Sequence, residues 1–487
     1  MGAQPGPWAF PAPPAPPFCY TPRVPDFVIH PAVQPLVGSI PVPPDKSISH
    51  RALLLGGLAS GRSRVRGGVL GGDNRATLAA LQAMGVRIEE PAPGEVILDG
   101  VGLLGLQAPA GPLDCGNSGT TMRLLAGVLA AQRFAARLIG DASLSGRPME
   151  RVARPLRLRG ARIEGRPDPR RIGEITAPLD VGPLPAPHVL SSLEYALPAP
   201  SAQVKSALLL SGLYADGPTY VREPIVSRDH TERMLRALGV PLRSVGPMVE
   251  LDPSRWSGEL SPLDLEVPGD FSAAAFLIAA AQLVGGSQIT ARRVGVNPTR
   301  TGLLDALRDM GARFEIESRG DALGEPIGDI HAGAANLSGR QTGGEVAARA
   351  IDELPILLAV GARARGVTEV RDAAELRVKE SDRIAVMATT LRAFGLQCEE
   401  RPDGLAVEGR PDAPLDAADV ESHGDHRIAM SAAVLGLVAA GPTRVRGVSC
   451  VATSFPRFVG TLRALGARIE VEPGESGESV EQEGEPR

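Results

Sequence analysis

Chemistry is first suggested at Val42–Arg51, which reads V-P-P-D-K-S-I-S-H-R and runs into a small, apolar stretch, Ala52–Ala59. Of the 51 basic side chains, only Lys46, Lys205 and Lys379 are lysine. Arginine has been used wherever either cation would serve. A surviving ammonium therefore marks a position where a compact point charge cannot be exchanged for a planar fork. Each of the three lies in a dense polar cluster: D-K-S-I-S-H-R, S-A-Q-V-K-S and R-V-K-E-S-D-R.

Five further polar stretches interrupt an otherwise plain Ala/Leu/Arg text. Asp114–Arg123 sets Gly116, Asn117, Ser118, Gly119 and Thr120 ahead of the helical run Met122–Ala131, and backbone N–H groups at such a helix start favour an anion. Gly140–Met149 is a turn-rich loop carrying Arg147; a lid and a plain surface loop fit it equally well. Ser201, Ala202, Gln203 and Lys205 precede the run Ala207–Leu213, with Ser201 placed to cap it, and Ser227-Arg228-Asp229-His230 follows soon after. Ile351-Asp352-Glu353-Leu354-Pro355 pairs with Glu375–Arg383; read as a helix, the latter puts Lys379 and Arg383 one turn apart with Glu380 beside them. Finally, His423-Gly424-Asp425-His426-Arg427 runs into the apolar Ile428–Leu437. The two histidines have no third ligand cluster, so no metal is expected. Three lysines, arginines beside glycine turns and two carboxylates near the lysines suit small, highly anionic substrates and proton transfer.

The elements that must position these residues come from a repeat. L-Q-A-M-G-V-R-I-E from Leu81 recurs from Leu156, Leu235, Leu307, Leu391 and Leu462, at a spacing of roughly 70 to 85 residues. In each copy a helix stops at glycine and alternating residues begin a strand. So long a period implies six small α/β units rather than a solenoid of helix pairs, and six units suggest two lobes of three. The lobe boundary is expected near Ser257–Pro268, with 46–260 forming one lobe and 37–45 together with 261–472 the other. The Pro/Ala-rich residues 1–36 read as a disordered extension, and the Glu/Gly/Ser residues 473–487 as an acidic tail.

Composition excludes several classes. With 487 residues and 43% apolar content, the chain can bury a large core. No apolar run approaches the roughly 20 residues that span a bilayer, and no secretory signal pattern opens the sequence, so a cytoplasmic enzyme is expected. The four cysteines are scattered, without a C-x-x-C pair. The net charge of −5 arises in residues 471–487, which hold six Glu and one Arg, leaving the body near neutral. With 3% aromatics and no basic stripe, nucleic acid is not an expected partner.

At Asp45–Arg51, Gly116–Arg123, Arg147-Pro148-Met149, Ser201–Lys205, Arg377–Arg383 and Asp425-His426-Arg427, in that order, the sequence resembles the 5-enolpyruvylshikimate-3-phosphate synthase family, over about residues 38 to 472. The resemblance implies the two-lobed enolpyruvyl-transferase fold, an inside-out α/β barrel of six βαβαββ units, three per lobe, with the active site in the cleft between them. It implies transfer of the enolpyruvyl group of phosphoenolpyruvate to the 5-hydroxyl of shikimate 3-phosphate, releasing phosphate, on the pathway to chorismate and aromatic amino acids. No metal or organic cofactor is implied, and a monomer is expected.

Carried over residue by residue, the resemblance places Lys46 against both substrates. Ser47, Arg51, Ser201, Ala202, Gln203, Ser227 and Lys379 would hold shikimate 3-phosphate, together with Asp352. Gly119, Arg147, Gln203, Arg383 and Arg427 would hold phosphoenolpyruvate, and Asn117, Thr120, Lys205, Arg228 and His426 would support the site. Asp352 would take the hydroxyl proton and Glu380 would exchange the methyl proton. Glyphosate inhibits this family at the phosphoenolpyruvate site, and alanine at the position of Gly119 is associated with resistance. The chain departs from the commonest pattern at Pro44, where glycine is usual, and at Thr453, where many members carry a substrate-binding lysine. Two alternatives stand beside this reading. The sister enzyme that acts on UDP-N-acetylglucosamine has Lys-Asn at Lys46-Ser47 and a lid cysteine absent from Gly140–Met149. A non-catalytic binder of phosphorylated metabolites would need the cations but neither Asp352 nor Glu380.

Overall fold

The computed structural model describes residues 24–67 and 71–473. It contains six four-stranded mixed sheets of one plan. In the sheet Leu113–Asp114, Ala136–Ile139, Ile175–Val181, Ile163–Pro167, the first two strands are parallel and the remaining pairs antiparallel. The other five repeat that order. Each sheet has an outer helix that ends at the repeat glycine: Gly85, Gly160, Gly239, Gly311, Gly395 and Gly466 all have φ between 78° and 108°. That left-handed backbone is open to glycine at little cost, which is why the glycine recurs in every copy.

Each unit also has an inner helix, which in four units joins the two parallel strands and in the other two carries the chain in from a strand of the opposite lobe. These six are Lys46–Leu58, Gly119–Leu129, Ala202–Gly212, Phe271–Leu283, Leu354–Gly361 and His426–Gly436, and the last three are buried along their whole length. They are apolar all round, as a helix enclosed on every side must be. Small residues let them approach closely: a Cβ on Gly127 would lie 2.4 Å from the carbonyl oxygen of Ala207. The buried apolar side chains gather in two cores, one drawn from Ile48 to Val267 and the other from Phe27–Val42 and Phe271–Ile469. We call the halves around them the first and second lobes.

The chain passes between the lobes twice. Val37–Pro41 pairs with Gln288–Gly295 in the second lobe before the chain enters the first, and Asp264–Glu266 pairs with Ser60–Arg66 in the first before it returns. The expected boundary at residue 261 is thus too early, because the strand after the boundary completes the first lobe's sheet. The two crossings lie side by side, with Asp45 N donating to Pro268 O (2.8 Å) and Asp270 N to Pro43 O (2.7 Å). Pro44 falls between these donors, bridging Gly269, so its missing N–H removes no bond from the crossing.

The expected disordered extension also ends earlier than residue 36. Pro25–Ile29 is a strand inserted between Thr443–Arg446 and Ile469–Pro473, burying Phe27 and Ile29. It supplies the strand that the last unit otherwise lacks, and Pro25 takes the first strand position, where a missing N–H is tolerated. Residues 1–23 and 474–487, which carry the rest of the extension and nearly all of the acidic tail, lie outside the described residues.

Candidate active site

The N-termini of all six inner helices open onto one cleft of about 520 Å³ between the lobes, lined among others by Lys46, Gly119, Ala202, Asp270, Asp352 and Arg427. Their caps are local in sequence. Asp45 accepts from Ile48 N (2.9 Å), Ser118 from Thr121 N (3.1 Å), Ser201 from Val204 N (3.4 Å), Asp270 from Ser272 N (2.7 Å) and Asp425 from Arg427 N (2.9 Å). Six positive helix ends reinforce a lining with ten Lys and Arg side chains against seven carboxylates, a field suited to anions.

On the first lobe's wall, Lys46 Nζ donates to Asp73 (3.0 Å). Arg51 is buried and held by hydroxyls, donating to Thr231 Oγ1 (2.7 Å) and Ser206 Oγ (2.8 Å). Burial and the neighbouring Arg228 push its pKa down to about 10. Gln203 joins two helices, accepting from Arg123 (2.6 Å) and donating to Thr120 (2.9 Å). Arg147 donates to Asn117 Oδ1 (2.7 Å). Burial, followed by repulsion from Arg151 and Arg147, depresses Arg123 well below the usual guanidinium range. A bound anion would relieve that crowding.

On the second lobe's wall, Asp352 is ringed by cations. Its Oδ2 lies 3.0 Å from Arg228 and 3.9 Å from Arg427, and its Oδ1 lies 3.4 Å from Arg383 and 3.5 Å from Lys379. Burial pushes its pKa up, but Lys379, Arg228, Arg427 and Arg383 outweigh it and hold the carboxyl well below the ordinary range. Glu380, 2.6 Å from Arg383 and 3.7 Å from Arg147, is likewise held well below, burial again opposing. Arg383 is itself anchored by Asp425 (2.8 Å). His426 is buried and pushed down to about 3, by burial first and then by Lys46 and Arg427, so it is neutral near pH 7. Ion pairs cross the cleft from lobe to lobe, among them Arg228 with Asp352, Arg147 with Glu380, and Arg151 with Glu375 (3.8 Å).

Of the residues expected at the site, Lys46, Ser47, Arg51, Asn117, Gly119, Thr120, Arg147, Ser201, Ala202, Gln203, Ser227, Arg228, Asp352, Lys379, Glu380, Arg383, His426 and Arg427 line this cleft. Lys205 does not. Its Nζ is buried behind the wall between Glu223 (2.6 Å) and Glu232 (2.7 Å), and Glu223 accepts from both the hydroxyl and the N–H of Ser227. Lys205 touches the lining at Ser227, whose carbonyl oxygen accepts from its Nζ at 3.2 Å. The reading of Glu375–Arg383 as one helix is also overturned. Ala374–Val378 is a 3-10 turn, Lys379 is extended, and Asp382 caps a new helix from Arg383 by accepting from Ala385 N (3.1 Å). Lys379, Glu380 and Arg383 all line the cleft across this break. Thr453 is outside the lining, its hydroxyl spent on Cys450 O (2.7 Å). Among the described residues, no group of three or more His, Cys, Asp and Glu could hold a metal ion.

Asp73, Arg123, Arg151, Asp270, Arg300 and Glu375 also line the cleft and had been given no role. Arg123 and Glu375 lie within stretches already singled out. Arg151 and Arg300 carry no signal in a chain where arginine is everywhere.

The family model described as EPSP synthase (3-phosphoshikimate 1-carboxyvinyltransferase) matches residues 31–475. Proteins of that name from Xanthomonas campestris pv. campestris and Acidithiobacillus ferrooxidans are each 49% identical to the chain, covering 90% of it and 97% of their own length. The solved EPSP synthase from Acinetobacter baumannii superposes with a TM-score of 0.81 at 45% identity, over 92% of this chain and all of that one. The enolpyruvyl transferase NikO from Streptomyces tendae, 19% identical with a TM-score of 0.72, shares the fold. A cleft built from six helix starts, with its cations gathered around Asp352 and Glu380, is thus matched along almost its whole chain by relatives of one kind, and the protein belongs to the EPSP synthase family.

Proposed function

We infer that the cleft transfers the enolpyruvyl group of phosphoenolpyruvate to the 5-hydroxyl of shikimate 3-phosphate, releasing phosphate, as a 3-phosphoshikimate 1-carboxyvinyltransferase of the shikimate pathway. The observation that carries this is the pair Asp352 and Glu380, set among cations in a family match that spans the chain. The hydroxyl oxygen adds to C-2 of phosphoenolpyruvate while C-3 gains a proton. The C–O bond to phosphate then breaks and the new methyl group gives a proton back. Asp352, kept ionised by its four cations, takes the hydroxyl proton. Glu380 serves the methyl carbon. Its low pKa rests on Arg383 and Arg147, so a phosphate and a carboxylate arriving on those guanidiniums return negative charge and raise it toward proton exchange.

Arg123, Arg147, Arg383 and Arg427 suit bidentate contacts to phosphoenolpyruvate, while Ser201, Gln203, Ser227 and Arg51 suit shikimate 3-phosphate. Both lobes of one chain supply the cleft, which supports a monomer. No helix among the described residues is long and apolar enough to cross a membrane, in keeping with work in the cytoplasm. The test is phosphate release from purified protein given phosphoenolpyruvate with shikimate 3-phosphate or with UDP-N-acetylglucosamine. Release with the first alone, lost in Asp352→Ala, is expected. Release with the UDP-sugar alone moves the chain to the sister reaction, and binding without release makes it a binder.

A further inference from the structure

Arg300 is almost fully buried at the edge of the cleft, where it meets three acids from three inner helix starts. Its Nε lies 3.5 Å from Asp45, its Nη2 3.1 Å from Asp270 and its Nη1 3.6 Å from Glu353. Asp45 and Asp270 end the two crossings between the lobes, and Glu353 precedes Leu354–Gly361. Arg300 Nη2 also donates to Ser272 Oγ at 2.6 Å. Arg427 uses the same two partners: its Nη2 donates to Ser272 Oγ (3.0 Å) and its Nη1 lies 3.4 Å from Glu353 Oε1.

We propose that Arg300 is a positioning residue for the phosphoenolpyruvate side of the site, holding Ser272 and Glu353 so that Arg427 presents its guanidinium to the substrate. Three carboxylates converging on a buried point repel one another and would repel an anionic substrate nearby. One guanidinium reaches all three because its five donors fan out in a plane, which an ammonium cannot do. With its charge gone, Glu353 and Asp270 turn to the nearest remaining cation, Arg427, and draw it out of place. Arg300 turns its Nη2 to Asp270 and Ser272 and lies within ion-pair distance of Asp45 and Glu353, so its effect on substrate passes through Arg427.

The proposal rests on the reading that Arg427 contacts phosphoenolpyruvate, and the experiment separates the two. Initial rates are measured with each substrate varied for wild type, Arg427→Gln, Arg300→Gln, Arg300→Lys and Ser272→Ala. Arg300→Gln is expected to raise the KM for phosphoenolpyruvate about tenfold or more while the KM for shikimate 3-phosphate moves less than about threefold. Arg300→Lys, with the charge but not the fork, should fall between Gln and wild type. Equal changes in both KM values, or none, overturn the proposal while the Arg427 reading stands. An unchanged phosphoenolpyruvate KM in Arg427→Gln overturns both. If Arg300→Gln does not fold, Ser272→Ala decides, since it removes the shared hydroxyl and leaves every charge: a rise in the phosphoenolpyruvate KM alone supports the proposal, and an unchanged KM overturns it.

Discussion

At the scale of single residues, the two carboxylates in the cleft make separable predictions. Asp352→Asn leaves Arg228, Lys379, Arg383 and Arg427 facing a neutral amide, so substrate anions still bind but the hydroxyl keeps its proton; kcat is expected to fall by roughly 10²–10⁴ in steady-state assays. Glu380→Gln should lose a comparable factor and, in addition, the exchange of solvent deuterium into C-3 of phosphoenolpyruvate, read by NMR. Exchange that persists in Glu380→Gln would give the methyl proton to another group. Gly119 carries the third prediction. A Cβ there would lie 2.8 Å from Arg123 Nη1 and 3.5 Å from Arg147 Nη1, so Gly119→Ala pushes a methyl into guanidiniums placed to hold an anion. The KM for phosphoenolpyruvate should rise roughly tenfold, equivalent to about 1.4 kcal/mol. Glyphosate should inhibit the wild type in competition with phosphoenolpyruvate and Gly119→Ala much less. Full wild-type turnover with glyphosate well above the phosphoenolpyruvate concentration would refute this.

At the scale of elements, the six-fold unit was legible because each outer helix ends at a glycine whose backbone no other residue adopts cheaply. Gly239 isolates that term: its φ is 84° and nothing lies within 4 Å of where a Cβ would stand. Gly239→Ala should cost about 1–2 kcal/mol in urea unfolding, and Gly239→Asn less, because asparagine tolerates this region better. A cost near zero would make the recurrence accidental. What was not legible follows from the same physics. Pro25–Ile29 is a five-residue strand at the end of a Pro/Ala-rich stretch, and its pairing depends on strands more than 400 residues away, which no local pattern reports. The break at Lys379–Asp382 was hidden because charges spaced at one turn satisfy a helix pattern as well as they satisfy an extended segment ahead of a capping Asp382. Lys205 was singled out as one of three lysines, but its partners Glu223 and Glu232 lie 18 and more residues on, so the sequence could not show that it faces away from the cleft. The stretches around Lys46, Gly119, Gln203 and Arg427, by contrast, run straight into inner helices whose caps, Asp45, Ser118, Ser201 and Asp425, are local in sequence.

At the scale of the whole molecule, the cations that make the cleft an anion site and the burial of His50 and His426 together make the fold sensitive to acid. Asp352, Glu380, Asp425 and Asp270 all have pKa values below the ordinary carboxylate range, and the buried His50 and His426 are pushed down to about 3. The sign is the same for all of them: the folded state binds fewer protons than the unfolded chain, so each contributes stability above its unfolded pKa and loses it as pH falls toward its folded one. For the carboxylates that loss starts near pH 4, whereas for the histidines it starts near pH 6.5. His50 separates the two windows because it is buried in the first lobe outside the cleft lining, its Nδ1 2.8 Å from Thr77 Oγ1. Burial is the main cause of its shift. Asp73 acts against that shift, while Lys46 and Arg51 add to it. Each unfolded-state histidine protonated below pH 6.5 removes about 1.4 kcal/mol per pH unit. The wild type should therefore lose stability between pH 7 and pH 5, before the carboxylates held below their ordinary range titrate, and His50→Gln should lose about 2 kcal/mol less over that interval. Urea unfolding at both pH values measures the difference directly. An interval unchanged by the substitution would mean that His50 is protonated in the folded state, which would place a cation beside Lys46 and Arg51 that burial forbids.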